Sequence, residues 1–187
     1  MLDVVEHTLR TNLHFPSRYG LAVRVNPCVG AARAGAAFGV FFVHGACFHG
    51  FHNRFQNNAR GGLRLVTPPL HEQCLAESMR VYDEVYGLSS AQELKNKDIP
   101  EGGSKAVCLI DSSRAGDRYH AVRASLKSFT NSILDLIVTT GGKEFMVDRL
   151  GVDEPILLGP DEQVIPENID WSSSRRAGAA IRFQLRS

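Results

Sequence analysis

Apolar positions follow two spacings along this chain: alternation by twos in the first third, and steps of three and four further on. Leu21, Val23 and Val25 alternate with Ala22 and Arg24 ahead of Pro27, which predicts a strand. Residues 38–45 form a continuous apolar run of the buried-strand kind, and residues 48–55 and 63–66 read as strands flanking a turn at residues 57–62. Leu2, Val5 and Leu9 have helical spacing, so residues 2–12 predict a short helix that breaks near Pro16, while residues 30–35 are too rich in Gly and Ala for more than a loop or a poor helix. After Pro68-Pro69, the residues Leu70, Cys74, Met79, Tyr82 and Val85 keep roughly one helical face, and a second helix is expected from Ser89 to Lys95 with Ser89 or Ser90 as its cap. Residues 106–110 read as a buried strand. The clearest helix covers residues 117–138, where Tyr119, Val122, Leu126, Phe129, Ile133 and Leu136 recur before Gly141-Gly142 stops it. Residues 155–158 add a last strand. Strands alternating with helices, with no repeat and no evident linker, predict a single α/β domain: a mixed β-sheet flanked by helices.

Composition removes several classes of function. The 187 residues carry 21 basic and 20 acidic side chains, a net charge of +1, and the cations are spread along the chain, which is not the balance of a nucleic-acid surface. The longest apolar run near the start, residues 38–43, is far short of the roughly 20 residues needed to span a bilayer, and residues 1–10 do not read as a secretory signal. Cys28, Cys47, Cys74 and Cys108 show no CxxC spacing and are expected to be free thiols in a reducing compartment. His44, His49 and His52 lack a partner cysteine or carboxylate at ligand spacing, so they read as ordinary strand-end histidines and no metal site is expected.

Chemistry concentrates in three loops. Residues 95–105, Lys-Asn-Lys-Asp-Ile-Pro-Glu-Gly-Gly-Ser-Lys, hold three lysines around a Pro/Gly turn that permits left-handed backbone and close ligand approach, so Lys105 is delivered in a set direction. Burial or neighbouring cations lower such a lysine from about 10.4 toward roughly 7 to 8, where it exchanges protons near neutrality. Residues 59–64 place Arg60 and Arg64 around Gly61-Gly62, an anion-binding arrangement, with a plain hairpin turn and solvated arginines as the alternative. Residues 158–162 put Asp161 directly after Gly-Pro at a strand end, where a helix N-cap is its ordinary role. Together the loops suit a small dicarboxylate: two cationic anchors and a lysine–aspartate pair between them.

The motifs Ala-Arg-Gly-Gly-Leu-Arg, Lys-Asn-Lys-Asp-Ile-Pro-Glu-Gly-Gly-Ser-Lys and Leu-Gly-Pro-Asp-Glu resemble the NAD-specific glutamate dehydrogenases of the large-subunit type found in fungi and protists. Looser likeness runs from about Leu9 to Trp171-Ser172. The resemblance implies oxidative deamination of L-glutamate to 2-oxoglutarate and ammonium with NAD, in an intracellular enzyme, mitochondrial or cytoplasmic, whose intact form is a homo-oligomer. It implies that Lys95 holds the substrate α-carboxylate, that Lys105 is the catalytic lysine and that Asp161 moves protons to and from the substrate nitrogen. Arg60 stands where smaller glutamate dehydrogenases have a lysine for the side-chain carboxylate, so Arg60, Gly61, Gly62 and Arg64 are the further substrate-binding candidates. Lys97 is expected to be structural or solvated.

Only 26 residues follow Asp161 in this sequence, and none of the chain reads Gly-x-Gly-x-x-Gly after a strand. The expectation is a substrate-binding domain over residues 1–176, a divergent tail over 177–187, and a nucleotide-binding domain missing from a chain cut short. Alone it would be inactive. The competing class is a non-catalytic dicarboxylate-binding or assembly module. Nucleotide phosphate binding at residues 102–105 is disfavoured, because a strand follows Lys105 where a helix N-terminus is needed.

Overall fold

The computed structural model describes residues 5–27, 37–95, 98–114, 117–137, 146–164 and 181–182. The expectations for Cys28, residues 30–35, Lys97, Gly141-Gly142 and most of the 177–187 tail lie outside these.

One mixed sheet organises the chain. Its strands are β1 (Thr8–Thr11), β2 (Leu21–Val25), β3 (Gly39–His44), β4 (Phe48–Arg54), β5 (Ala59–Arg60), β6 (Gly62–Val66), β7 (Gly102–Ile110), β8 (Val147–Asp148) and β10 (Gly159–Pro160), in the order β10-β6-β7-β4-β3-β2-β1-β8 with β5 on β7. A separate pair joins β9 (Ile156–Leu157) to β11 (Ile181–Arg182). Strands β1 to β4 pair antiparallel, whereas β6 runs parallel to β7. A parallel neighbour needs a crossover, supplied here by helices α1 (His71–Ser78) and α2 (Val81–Glu93). Helix α3 (Arg118–Ile137) covers the opposite face.

The sheet is buried on both sides. Ala106, Cys108 and Ile110 of β7 pack with Phe41, Val43, Leu126, Phe129 and Ile133 under α3, while Val107 and Leu109 pack with Cys74, Val81 and Val85 under α1 and α2. That double burial makes β7 a continuous apolar run. Strand alternation also puts His49 and His52 on opposite faces, and among the described residues no group of three or more His, Cys, Asp or Glu is placed to hold a metal ion. Cys47, Cys74 and Cys108 are free thiols. No helix of the described residues is long and apolar enough to cross a membrane.

Four local expectations are corrected. Residues 8–11 form an edge-side strand, not part of a helix, because their inward side chains, Arg10 and Thr11, are polar and escape an apolar pattern. The turn at residues 57–62 is not a hairpin, since β7 inserts between β4 and β6. Instead of one helix over 70–86 and another from Ser89, the chain breaks at Met79-Arg80 and α2 runs through Ser89, whose hydroxyl donates back to the Val85 carbonyl at 2.7 Å. Gly102 to Lys105 belong to β7 rather than to a loop, and neither glycine has a positive φ. Gly103 is required for contact: a Cβ there would stand 2.1 Å from the Glu93 nitrogen and 2.3 Å from the Ser89 oxygen.

Candidate active site

Strand β7 carries Lys105 onto the face shared with α2, on the side facing Val107 and Leu109. Asn53 is its cross-strand neighbour on β4. On the other side β6 runs alongside, and β10 pairs with β6 through Gly159 opposite Gly62. Asp161 follows immediately. This places two residues distant in sequence side by side, and the Lys105 ammonium donates a hydrogen bond to Asp161 Oδ2.

The glycines explain how the strands come so close. A Cβ on Gly61 would lie 1.9 Å from the Ser104 carbonyl oxygen, and one on Gly62 would lie 3.0 Å from the Asp161 Cβ. The Gly61 carbonyl in turn accepts from the Gly159 amide at 2.8 Å, fixing the strand that ends at Asp161. No helix of the described residues starts at Asp161, so its carboxylate is not spent as a cap.

Lys105 is 7% exposed. Burial lowers its pKa from the ordinary lysine value; the charges of Arg64 and Lys95 lower it further, against the opposing effects of Glu84 and Glu162. The amine therefore gives up its proton more readily than a surface lysine. Arg64, on β6, is paired with Glu84 of α2 at 2.7 Å and with Glu162 at 3.2 Å.

The other candidates divide. Lys95 is exposed just past the end of α2 and stands near enough to act on the charge of Lys105. Arg60 faces elsewhere: its guanidinium donates to the carbonyls of Glu101 at 2.7 Å, and of Gln92 and Lys95 at 3.1 Å each. It ties the segment bearing Lys95 to β5. The structure thus gathers Lys105, Asp161, Arg64, Gly61 and Gly62, with Lys95 at the rim and Arg60 behind it.

Sequence reading missed Glu84 and Asn53. Asn53 is fully buried and its amide nitrogen donates to Ser89 Oγ at 2.6 Å, fixing α2 over the strands that hold the site. Neither had a signal, because a glutamate on a helix and an asparagine in a strand become site residues only when α2 is laid across β6 and β7.

A model of the family described as the catalytic domain of bacterial NAD-glutamate dehydrogenase matches residues 1–149. The chain belongs to this family. It is 38% identical to the NAD-specific glutamate dehydrogenase of Neurospora crassa over 91% of this chain and 16% of that protein. It is 32% identical to the Saccharomyces cerevisiae protein of the same name over 89% of this chain and 15% of that protein. Glutamate dehydrogenase 2 of Dictyostelium discoideum is 31% identical over 98% of this chain and 17% of that protein. The chain therefore spans about one sixth of the length of these relatives. Among solved structures, L-tryptophan dehydrogenase from Nostoc punctiforme aligns with a TM-score of 0.48 at 16% identity, over 78% of this chain and 36% of that one.

Proposed function

We propose that this chain is the substrate-binding domain of an NAD-dependent glutamate dehydrogenase, the domain extending over residues 1–176. The reading carries with it oxidative deamination of L-glutamate to 2-oxoglutarate and ammonium, and an intact homo-oligomeric enzyme within the cell, mitochondrial or cytoplasmic. One observation carries it: a lysine largely withdrawn from water, with its pKa lowered, in contact with an aspartate at a strand end. That pair suits proton traffic at the α-carbon of an amino acid. In its neutral form the Lys105 amine takes a proton from water as the water oxygen bonds to the imine carbon of the oxidised substrate. Asp161, protonated by the substrate ammonium before its oxidation, returns that proton to the carbinolamine nitrogen. The C–N bond then breaks, ammonia leaves, and the Asp161 carboxylate takes up the hydroxyl proton as the C=O bond forms.

Lys95 is the proposed anchor of the α-carboxylate. Arg64 is the proposed anchor of the side-chain carboxylate, Gly61 and Gly62 leave room beside it, and a substrate carboxylate would take the place of one of its present acidic partners. Arg60, assigned by the resemblance to the substrate, acts here by holding the Lys95 segment.

The described residues do not fit NAD. The direct crossover between the adjacent parallel strands β6 and β7, through α1 and α2, opens with Thr67-Pro68-Pro69, and two prolines remove the amide donors that a pyrophosphate needs there. The cofactor belongs to another part of the enzyme.

Calorimetry of the chain with glutamate and 2-oxoglutarate tests the reading. In Lys95→Ala the Kd is expected to rise about 10- to 100-fold, the equivalent of the roughly 1.5–3 kcal/mol that a hydrogen bond to a charged group contributes. Unchanged binding in the variant would count against the assignment, and turnover by an intact Lys105→Ala enzyme would remove the mechanism.

A further inference from the structure

Away from the site, three arginines lie inside the protein. Arg10 of β1, Arg24 of β2 and Arg54 of β4 are each no more than 2% exposed, and Arg10 and Arg24 are direct cross-strand partners. They converge on Glu154, itself 1% exposed. Glu154 Oε1 accepts from Arg24 Nη2 at 2.9 Å and from Arg54 Nη2 at 2.5 Å, and Oε2 lies 3.6 Å from Arg10 Nη1. Gly39 makes the convergence possible, since a Cβ there would stand 2.9 Å from Arg24 Nη2.

The same guanidiniums grip the chain on either side of Glu154. Arg10 donates to Asp148 Oδ1 at 2.9 Å and to the Val152 carbonyl, and Arg54 donates to the Pro155 carbonyl at 2.6 Å. Residues 148–155 are therefore fastened at four points to three strands of the sheet. Ile156 and Leu158 follow, both 1% exposed, and then β10 and Asp161.

Strand β10 is poorly equipped to hold itself. It has only two residues, Gly159 and Pro160, and the proline has no amide to donate. Besides its short parallel ladder with β6, it is tied by the Gly159 amide to the Gly61 carbonyl at 2.8 Å and, just beyond, by the Leu65 amide to the Glu162 carbonyl at 3.1 Å. The position of Asp161 thus depends on how firmly the chain before it is fixed.

We propose that Glu154, clasped by Arg10, Arg24 and Arg54, is a positioning residue for Asp161, anchoring the segment that delivers the aspartate to Lys105. This rests on the reading of Lys105 and Asp161 as the acid–base pair. Replacing the shared carboxylate by an amide leaves three buried guanidiniums without their common counter-charge and loosens their hold on residues 148–155.

The test is an NMR titration of Lys105 in the chain labelled with 13C-lysine. The groups acting on that ammonium are Arg64 from β6, Glu84 from α2, Lys95, and Asp161 with Glu162 from the segment after β10. Removing the adjacent carboxylate in Asp161→Asn lowers the Lys105 pKa by about one unit, the usual effect of losing a contacting opposite charge. Glu154→Gln is expected to lower it in the same direction and to cause no further fall in the Asp161→Asn background. An unchanged Lys105 titration in folded Glu154→Gln overturns the proposal, as does an equal fall with Asp161 already replaced. If Glu154→Gln does not fold, Asp148→Asn, at a side chain 24% exposed, loosens the same segment and is read in the same way. Ile133→Val, in the core under α3, is the control: it lowers the thermal midpoint and leaves Lys105 unmoved, and an equal shift there would mean general loosening and defeat the proposal. Failure of dicarboxylate binding, by contrast, would strike the functional reading without altering this titration.

Discussion

His52 shows what a single residue does when the fold denies it partners. It is 1% exposed on β4, edge-on to the Phe41 ring with centroids 5.8 Å apart, and neither ring nitrogen has a hydrogen-bond partner among the described residues. Burial, and then the charge of Arg54, lower its pKa to about 3 from 6.5. Between these values the unfolded chain binds a proton at this residue that the folded chain refuses, so its contribution is intact above pH 6.5 and declines as the pH falls toward 3. The slope is about 1.4 kcal/mol per pH unit. His52→Leu removes it, so urea titrations at pH 7 and pH 5 are expected to show a smaller loss of stability in the variant than in the natural chain. Equal losses would contradict this. In the sequence His52 is indistinguishable from His44 and His49, since burial of its ring is decided by the strand register that turns it under α3.

Helix α2 and strand β7 meet so closely that their contact is backbone on backbone. The Glu93 carboxylate reinforces it by accepting from the Gly103 amide at 2.5 Å. At Gly103 an added methyl meets helix main chain, which cannot step aside, so Gly103→Ala is expected to cost about 1–3 kcal/mol or more as overpacking. Gly87, on the same helix, has nothing within 4 Å of where a Cβ would lie, and Gly87→Ala is expected to stabilise by roughly 0.5–1 kcal/mol. Denaturant midpoints of the two variants should move in opposite directions, and movement in the same direction would refute the packing argument. Both glycines look alike in the sequence. The chain also predicts α3 well, because its apolar stripe at steps of three and four is long and continuous, whereas α1 and α2 read as a different pair because a break at Met79-Arg80 carries no Gly or Pro.

At the scale of the whole molecule, the sheet holds two apolar cores and one polar one. Glu154 joins β1, β2 and β4 to residues 148–155, and Glu154→Ala is expected to destabilise by about 3–5 kcal/mol, as removal of one partner from a buried ion cluster does. A urea midpoint near that of the natural chain would show that water relieves the cluster. The sequence by itself determined the class of fold, because alternating and helical apolar spacings are local and each element buries its own stripe. It also determined the family and the lysine–aspartate pair of interest, because the motifs around Arg60, Lys105 and Asp161 are contiguous and long. Tertiary structure alone decided that β7 lies between β4 and β6, that Arg60 braces the Lys95 segment while Arg64 pairs with Glu84 and Glu162, and that three arginines are core residues. Those outcomes depend on crossover connections and on charge neutralised by residues more than a hundred positions away, as with Arg24 and Glu154, and such pairing leaves no periodic trace in the chain.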